Sequence, residues 1–274
     1  MKKLLVIAVA LVLLFFSVPY IQYLSSGDSN VTVGVHYYYD STMDIESDVK
    51  RIAEAGFKII RIDAVYSTDA SMNLATEKCL VAAKKYGLKV IAILYYSSTL
   101  SNVESYVSKF GSFIDYYQLL NEIDIMKSWG SGQLYMDEEV TKMLADLRKV
   151  VRKCDSDAKT LTTVTAGWVI RIGLIKRASE FVDFIGIDVY EGAYHIFEQN
   201  YFYLKQVSGK EVWVTEFGSA HPDDYKQAEY LVNCLNKFKS LKVPVAIVFA
   251  WNNALQAIKD RRAEAAVKEW IRGG

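Results

Sequence analysis

Histidine, cysteine and proline are all scarce in this chain, with three of each in 274 residues. His36, His195 and His221 are far apart and form neither an H-x-H nor an H-E-x-x-H pattern, so no metal site is implied. Cys79, Cys154 and Cys234 include no C-x-x-C pair, and an odd number argues against a disulfide framework. They read as small buried hydrophobes. An excess of one charge is also missing, because 32 basic residues balance 32 acidic ones. That removes the basic footprint of a nucleic-acid partner. No G-x-G-x-x-G or G-x-x-x-x-G-K-[ST] occurs, so the phosphate-cradling turn of nucleotide folds is absent and no cofactor is implied.

What the chain does have is apolar and aromatic mass. Half of its residues are hydrophobic, enough for a substantial core, and 19 tyrosines lead the aromatics. Rings in such number suit a sugar-binding surface, and they equally suit an aromatic core. The N-terminus differs in kind: Lys2 and Lys3 precede an apolar run from Leu4 to Phe16 that continues to Leu24. A basic start followed by roughly 20 apolar residues predicts a signal anchor over 1–24, with a cleaved signal peptide as the alternative. The body is then expected outside the cytoplasm, membrane-anchored through the N-terminal segment or secreted. Residues 25–30 read as a polar tether.

From Val31 onward, strand-like runs recur about every thirty residues with helix-like segments between them. The strands are predicted at 31–38, 59–65, 90–95, 117–121, 161–165, 184–189, 212–216 and 245–251. The helices between them fall near 45–55, 75–86, 103–114, 140–154, 170–178, 194–207 and 224–241, with a closing one near 263–271. The clearest helix carries Val140, Met143, Leu144, Leu147, Val150, Val151 and Cys154 on one stripe. Eight βα units over 31–274 predict a single α/β domain, a (β/α)₈ barrel, whose typical length is ~250 residues.

Two of the strands end in a carboxylate. Glu211-Val212-Trp213-Val214-Thr215-Glu216-Phe217-Gly218 is a β-type run that stops at an acid and turns at a glycine. Period-two alternation puts Val212, Val214 and Glu216 on one face. Tyr117-Gln118-Leu119-Leu120-Asn121-Glu122 has the same build. A lone strand-end glutamate is ordinarily a salt-bridged surface group. Two of them at the active face of a barrel are what acid–base and nucleophilic work on a glycosidic bond requires. Other predicted strand ends add His36, Arg61, Asp63, Tyr95, Trp168, Asp188, Tyr190 and Trp251 to the same face.

These motifs resemble the retaining glycoside hydrolases of clan A, the superfamily of cellulase- and mannanase-like barrels. The likeness rests on Asn121-Glu122, on Thr215-Glu216-Phe217-Gly218, and on Arg61 in Ile60-Arg61-Ile62-Asp63. Tyr190 in Ile187-Asp188-Val189-Tyr190 and Trp251 complete it. Where many members carry a histidine two residues before the strand-six tyrosine, this chain has Asp188. The resemblance implies hydrolysis of a β-linked oligo- or polysaccharide by double displacement. Glu216 would be the nucleophile and Glu122 the acid/base. Asn121, Arg61, Tyr190, Trp251, Asp188, Trp168 and His36 would hold the sugar or the catalytic pair, with Trp251 as the ring on which it stacks. Two other readings share these residues: a glycan-binding barrel without turnover, and a cell-surface transglycosidase that uses the same covalent step.

Overall fold

The computed structural model describes residues 30–65, 69–96, 100–127, 132–167, 171–252 and 254–273. The predicted anchor (1–24) and most of the tether lie outside the described residues, as do Tyr66, Trp129, Trp168 and Asn253. Among the described residues no helix is long and apolar enough to cross a membrane.

Residues 31–274 form one unit. Its eight parallel strands close into a barrel in sequence order: β1 (Thr32–His36), β2 (Ile59–Asp63), β3 (Lys89–Leu94), β4 (Tyr116–Leu119), β5 (Lys159–Thr165), β6 (Phe184–Tyr190), β7 (Glu211–Gly218) and β8 (Val245–Val248). The main helices are α1 (Ile45–Glu54), α2 (Ala70–Lys85), α3 (Leu100–Phe110), α4 (Asp137–Cys154), α5 (Ile172–Ala178), α6 (Phe197–Ser208), α7 (Asp224–Ser240) and α8 (Arg262–Gly273). The (β/α)₈ expectation is met. Several boundaries differ from the sequence reading by a few residues, and two of them have a visible local cause. Helix α2 starts five residues early because Asp69 accepts from the Ser71 amide at 2.8 Å and caps it. The stretch before α6 opens as a 3₁₀ turn, Glu191–Ile196, and α6 stops at Gly209 in the left-handed region.

Alternation along each strand separates two layers. Residues such as Val33, Val35, Ile60, Ile62, Val212 and Val214 belong to the large core between strands and helices. Ile59, Ile91, Leu161, Trp213, Val245 and Ile247 form a second cluster inside the barrel, with Tyr116 and Phe184 against it. Trp213 stacks on Phe184 at 4.5 Å and meets Tyr116 edge-on at 5.0 Å, plugging the lower interior. Above that plug the inward positions turn polar: His36, Arg61, Gln118, Thr163, Asp188 and Thr215 are all buried. Gly186 leaves room for this crowding, since a Cβ there would lie 2.3 Å from Thr215 Oγ1 and 2.7 Å from Thr163 Cγ2.

Candidate active site

The polar layer opens at the C-terminal ends of the strands, and Glu216 reaches it by a departure from regular pairing. Unbroken alternation would send Glu216 into the helix-facing core with Val212 and Val214. Instead, the β6–β7 register shifts between Ile187 and Asp188, leaving Asp188 opposite Glu216. The β7–β8 register shifts between Val214 and Phe217. A bulge of this kind re-aims side chains by one position, and here it turns the carboxylate inward. The single-face grouping of Val212, Val214 and Glu216 is therefore corrected by the bulge.

Two groups grip the Glu216 carboxylate. Arg61 Nη1 lies 2.8 Å from Oε1, and the Tyr190 hydroxyl donates to Oε2. Arg61 is itself wholly buried and fixed on every side. Its Nε donates to Gln118 Oε1 at 2.8 Å, and its Nη2 to Asn121 Oδ1 at 2.9 Å. Its Nη1 also faces His36 Nδ1 at 3.1 Å. A guanidinium only donates, so His36 Nδ1 accepts and the ring proton sits on Nε2. Burial, and then the Arg61 charge, hold the His36 pKa well below its ordinary value, which keeps the ring neutral. Nε2 faces Asp63 Oδ2 at 3.7 Å, and Asp63 Oδ1 accepts from the Tyr95 hydroxyl at 2.9 Å. The charge partner of Arg61 is Glu216, and Asp63 sits one ring further out.

Asn121 is oriented by three donors. Arg61 Nη2, Gln118 Nε2 (2.7 Å) and the Thr163 hydroxyl (3.0 Å) all reach its Oδ1. That assigns the amide and leaves Nδ2 as the donor for a ligand. The next residue, Glu122, has φ 46°, and Leu120 has φ 65°. Left-handed backbone in non-glycine residues costs about 1 kcal/mol or more and clusters at functional sites. The Glu122 amide is secured by the Thr163 hydroxyl oxygen at 2.8 Å. Burial, then the charges of Glu216 and Asp124, push the Glu122 carboxyl up to about 7. The two glutamates therefore differ in character: Glu216 has a cation and a phenol holding its charge, while Glu122 has neither.

Asp188 is buried beside them, with Oδ1 accepting from the Thr215 hydroxyl at 2.6 Å and Oδ2 without a partner. Burial and the Glu216 charge raise its pKa well above the usual carboxylate range. It belongs to the wall behind the nucleophile, as do His36 and Arg61. Among the described residues no cluster of His, Cys, Asp and Glu could hold a metal ion.

Trp251 departs from the expectation placed on it. Its side chain is fully buried, packed edge-on to Phe57 at 6.3 Å and under the Arg51 guanidinium at 5.6 Å. It faces helix α1 and presents no open ring to a sugar. The aromatic at the mouth on this side is Phe249, half-buried and joined to Ala250 by a cis peptide bond. Its ring lies 5.1 Å from His36, 6.0 Å from Tyr38 and 6.1 Å from Tyr190. Phe249 shares the inward phase of Val245 and Ile247, a signal available in the sequence. Gln118, Thr163 and Thr215 were open to the same argument, as polar residues at inward positions of apolar strands.

No family model matches the chain, and no curated protein matches it by sequence. Solved structures do match by shape. An exo-β-1,4-mannosidase from Opitutaceae bacterium strain TAV5 superposes with a TM-score of 0.68 at 13% identity, over 91% of this chain and 60% of the mannosidase. A GH5_18 protein from Streptomyces cattleya, solved with GlcNAc, gives 0.67 at 15% identity, over 90% and 80%. The fold is the one these barrels share. An endo-1,4-β-D-mannanase from Thermotoga petrophila RKU-1 gives 0.63 at 12% identity, over 89% of this chain and all of the mannanase. This chain thus spans a little under two thirds of the first of these barrels and the whole length of the last.

Proposed function

We propose that the protein is a retaining glycoside hydrolase acting on a β-linked saccharide. The observation that carries this reading is the unequal treatment of two carboxyls in one polar mouth. Glu216 is clamped by Arg61 and Tyr190, and Glu122 is pushed up to about 7 by burial and by the Glu216 charge. An ionised nucleophile and a protonated acid are what the first displacement requires.

In that step Glu216 Oε attacks the anomeric carbon, while Glu122 gives its proton to the departing glycosidic oxygen. The negative charge moves from Glu216, now an ester, to Glu122. With the Glu216 charge gone, the chief electrostatic pressure on Glu122 is lifted. It then takes a proton from water, which attacks the ester and restores Glu216. The Asn121 Nδ2 hydrogens are free to meet a sugar hydroxyl, and Phe249 supplies an apolar face beside the ring. The neighbouring barrels of known structure include a mannosidase, mannanases and a β-glucosidase, which favours a β-mannosidic or β-glucosidic substrate. We further propose that residues 1–24 export the barrel and either anchor it to the membrane or are removed.

The test is product stereochemistry with two variants. The first-formed sugar, read by NMR, should keep the β configuration, and Glu216→Gln and Glu122→Gln should each lower turnover by about 10³-fold or more without loss of fold. Undiminished turnover in the Glu216 variant would refute the mechanism. Inversion of the product would make Glu216 the general base instead.

A further inference from the structure

The loops that follow β4 and β5 carry an apolar rim. Ile125, Leu134, Met136 and Ile172 are 48%, 52%, 63% and 40% exposed. They are drawn together by one side chain. Arg171 donates from Nη1 to the Asp124 carbonyl at 3.4 Å and from Nη2 to the Tyr135 carbonyl at 2.7 Å. It also holds Asp137 Oδ1 through Nε at 2.8 Å. Ile125 is the neighbour of Asp124, Leu134 and Met136 flank Tyr135, and Ile172 follows Arg171. The Tyr135 amide donates to the Met126 carbonyl at 3.0 Å, closing the two arms of the β4 loop on each other.

The rim begins at Glu122. The Ile125 amide bonds the Glu122 carbonyl at 3.0 Å, so the loop turns directly off the proton donor. A general acid protonates the oxygen that leaves, and the leaving group therefore occupies the space on the acid's side of the scissile bond. The other side of the mouth, around Asp63, Asn121 and Tyr95, is richer in hydrogen-bonding groups. Among the described rim residues most charged groups are occupied: Arg171 and Arg177 with Asp137, and Asp124 with the Thr165 amide and hydroxyl, while Lys127 is exposed at the end of the first arm. Beside them stand the four exposed apolar side chains of the described rim.

From this asymmetry we propose that the leaving-group side of the cleft is built for an apolar aglycone, an alkyl or aryl chain, in place of a further sugar unit. The proposal rests on the reading of Glu122 as proton donor. Burying an alkyl chain against these side chains removes apolar surface from water on both partners, so affinity should grow with chain length.

The experiment compares methyl, butyl and octyl β-D-mannopyranosides and β-D-glucopyranosides, kept below micelle-forming concentrations, with wild type and an Ile125→Ser/Met136→Ser variant. Both positions are exposed, so the variant keeps its fold. Wild type is expected to favour octyl over methyl by about tenfold or more in kcat/KM, expressed in KM. In the variant that preference should shrink to about twofold or less, with the methyl glycoside unchanged. Equal kcat/KM for methyl and octyl in wild type, or an undiminished preference in the variant, overturns the proposal. Binding of the same glycosides to Glu122→Gln, measured by calorimetry, provides the same comparison without turnover. If nothing is hydrolysed, including activated aryl glycosides, the hydrolase reading fails, and the octyl-over-methyl difference in affinity still decides whether the rim holds an apolar chain.

Discussion

The guanidinium of Arg61 reaches Glu216 Oε1 at 2.8 Å while its own side chain is wholly removed from solvent. A buried ion pair is strongly favourable only when its geometry is good and its remaining hydrogens are satisfied. Here Gln118, Asn121 and His36 take those hydrogens. The pair is thereby a rigid device that fixes the orientation and charge of the proposed nucleophile, with Arg61 acting through Glu216.

Replacing Arg61 by lysine tests that view. Lysine keeps a positive charge but cannot reproduce a planar fork that serves four partners. Arg61→Lys should lower kcat/KM by about 10²-fold or more. It should also lower the melting temperature, because Gln118 Oε1 and Asn121 Oδ1 lose donors inside the protein. Steady-state kinetics with thermal unfolding on one preparation checks both effects. A variant with wild-type kinetics would remove Arg61 from the machinery.

The pH profile follows from Glu122. The first displacement needs its proton, so kcat/KM should fall as pH rises through about 7. For stability the sign works out the same way. The folded pKa lies above the ordinary carboxylate value, so between the two the folded state binds more protons than the unfolded one. This group's contribution is complete below its unfolded pKa and is lost as pH rises through about 7. Glu122→Gln should therefore melt higher than wild type at pH 8, and the advantage should vanish near pH 4. Melting curves at the two pH values decide the point.

Phe249 and Trp251 should separate function from packing. Phe249→Ala is expected to cut kcat/KM by about tenfold or more with a modest change in stability, since its ring stands at the mouth. Trp251→Ala should cost about 3–5 kcal/mol of stability through the cavity it leaves. Denaturant titrations and kinetics on the two variants would expose a reversed pattern, which would restore Trp251 as the sugar-facing ring.

Asp188 is expected to be neutral at working pH, because burial and the Glu216 charge both oppose its ionisation. An amide can replace a neutral acid and still accept from the Thr215 hydroxyl. Asp188→Asn should keep kcat/KM within about threefold and leave the limb near pH 7 in place. If Asp188 were ionised, removing its charge would move that limb to lower pH.

Much of this protein could be read from its chain alone. The spacing of apolar runs and the glycine and aspartate punctuation specify eight βα units, because hydrophobic periodicity and turn chemistry are local properties. Closure of the barrel follows from them. Glu122, Glu216, Asn121, Arg61 and Tyr190 were legible too, since strand ends share one face of such a barrel. Three things were decided only by tertiary structure. Glu216 faces inward because the register shifts at β7 break the period-two pattern, and register belongs to pairs of strands. Trp251 has the same phase as Phe249 and yet turns to helix α1, because β8 has ended by then and packing against Phe57 and Arg51 places its ring. The raised pKa of Glu122 comes from burial and, next, from the charge of Glu216, more than ninety residues away in the chain. No local reading contains that distance.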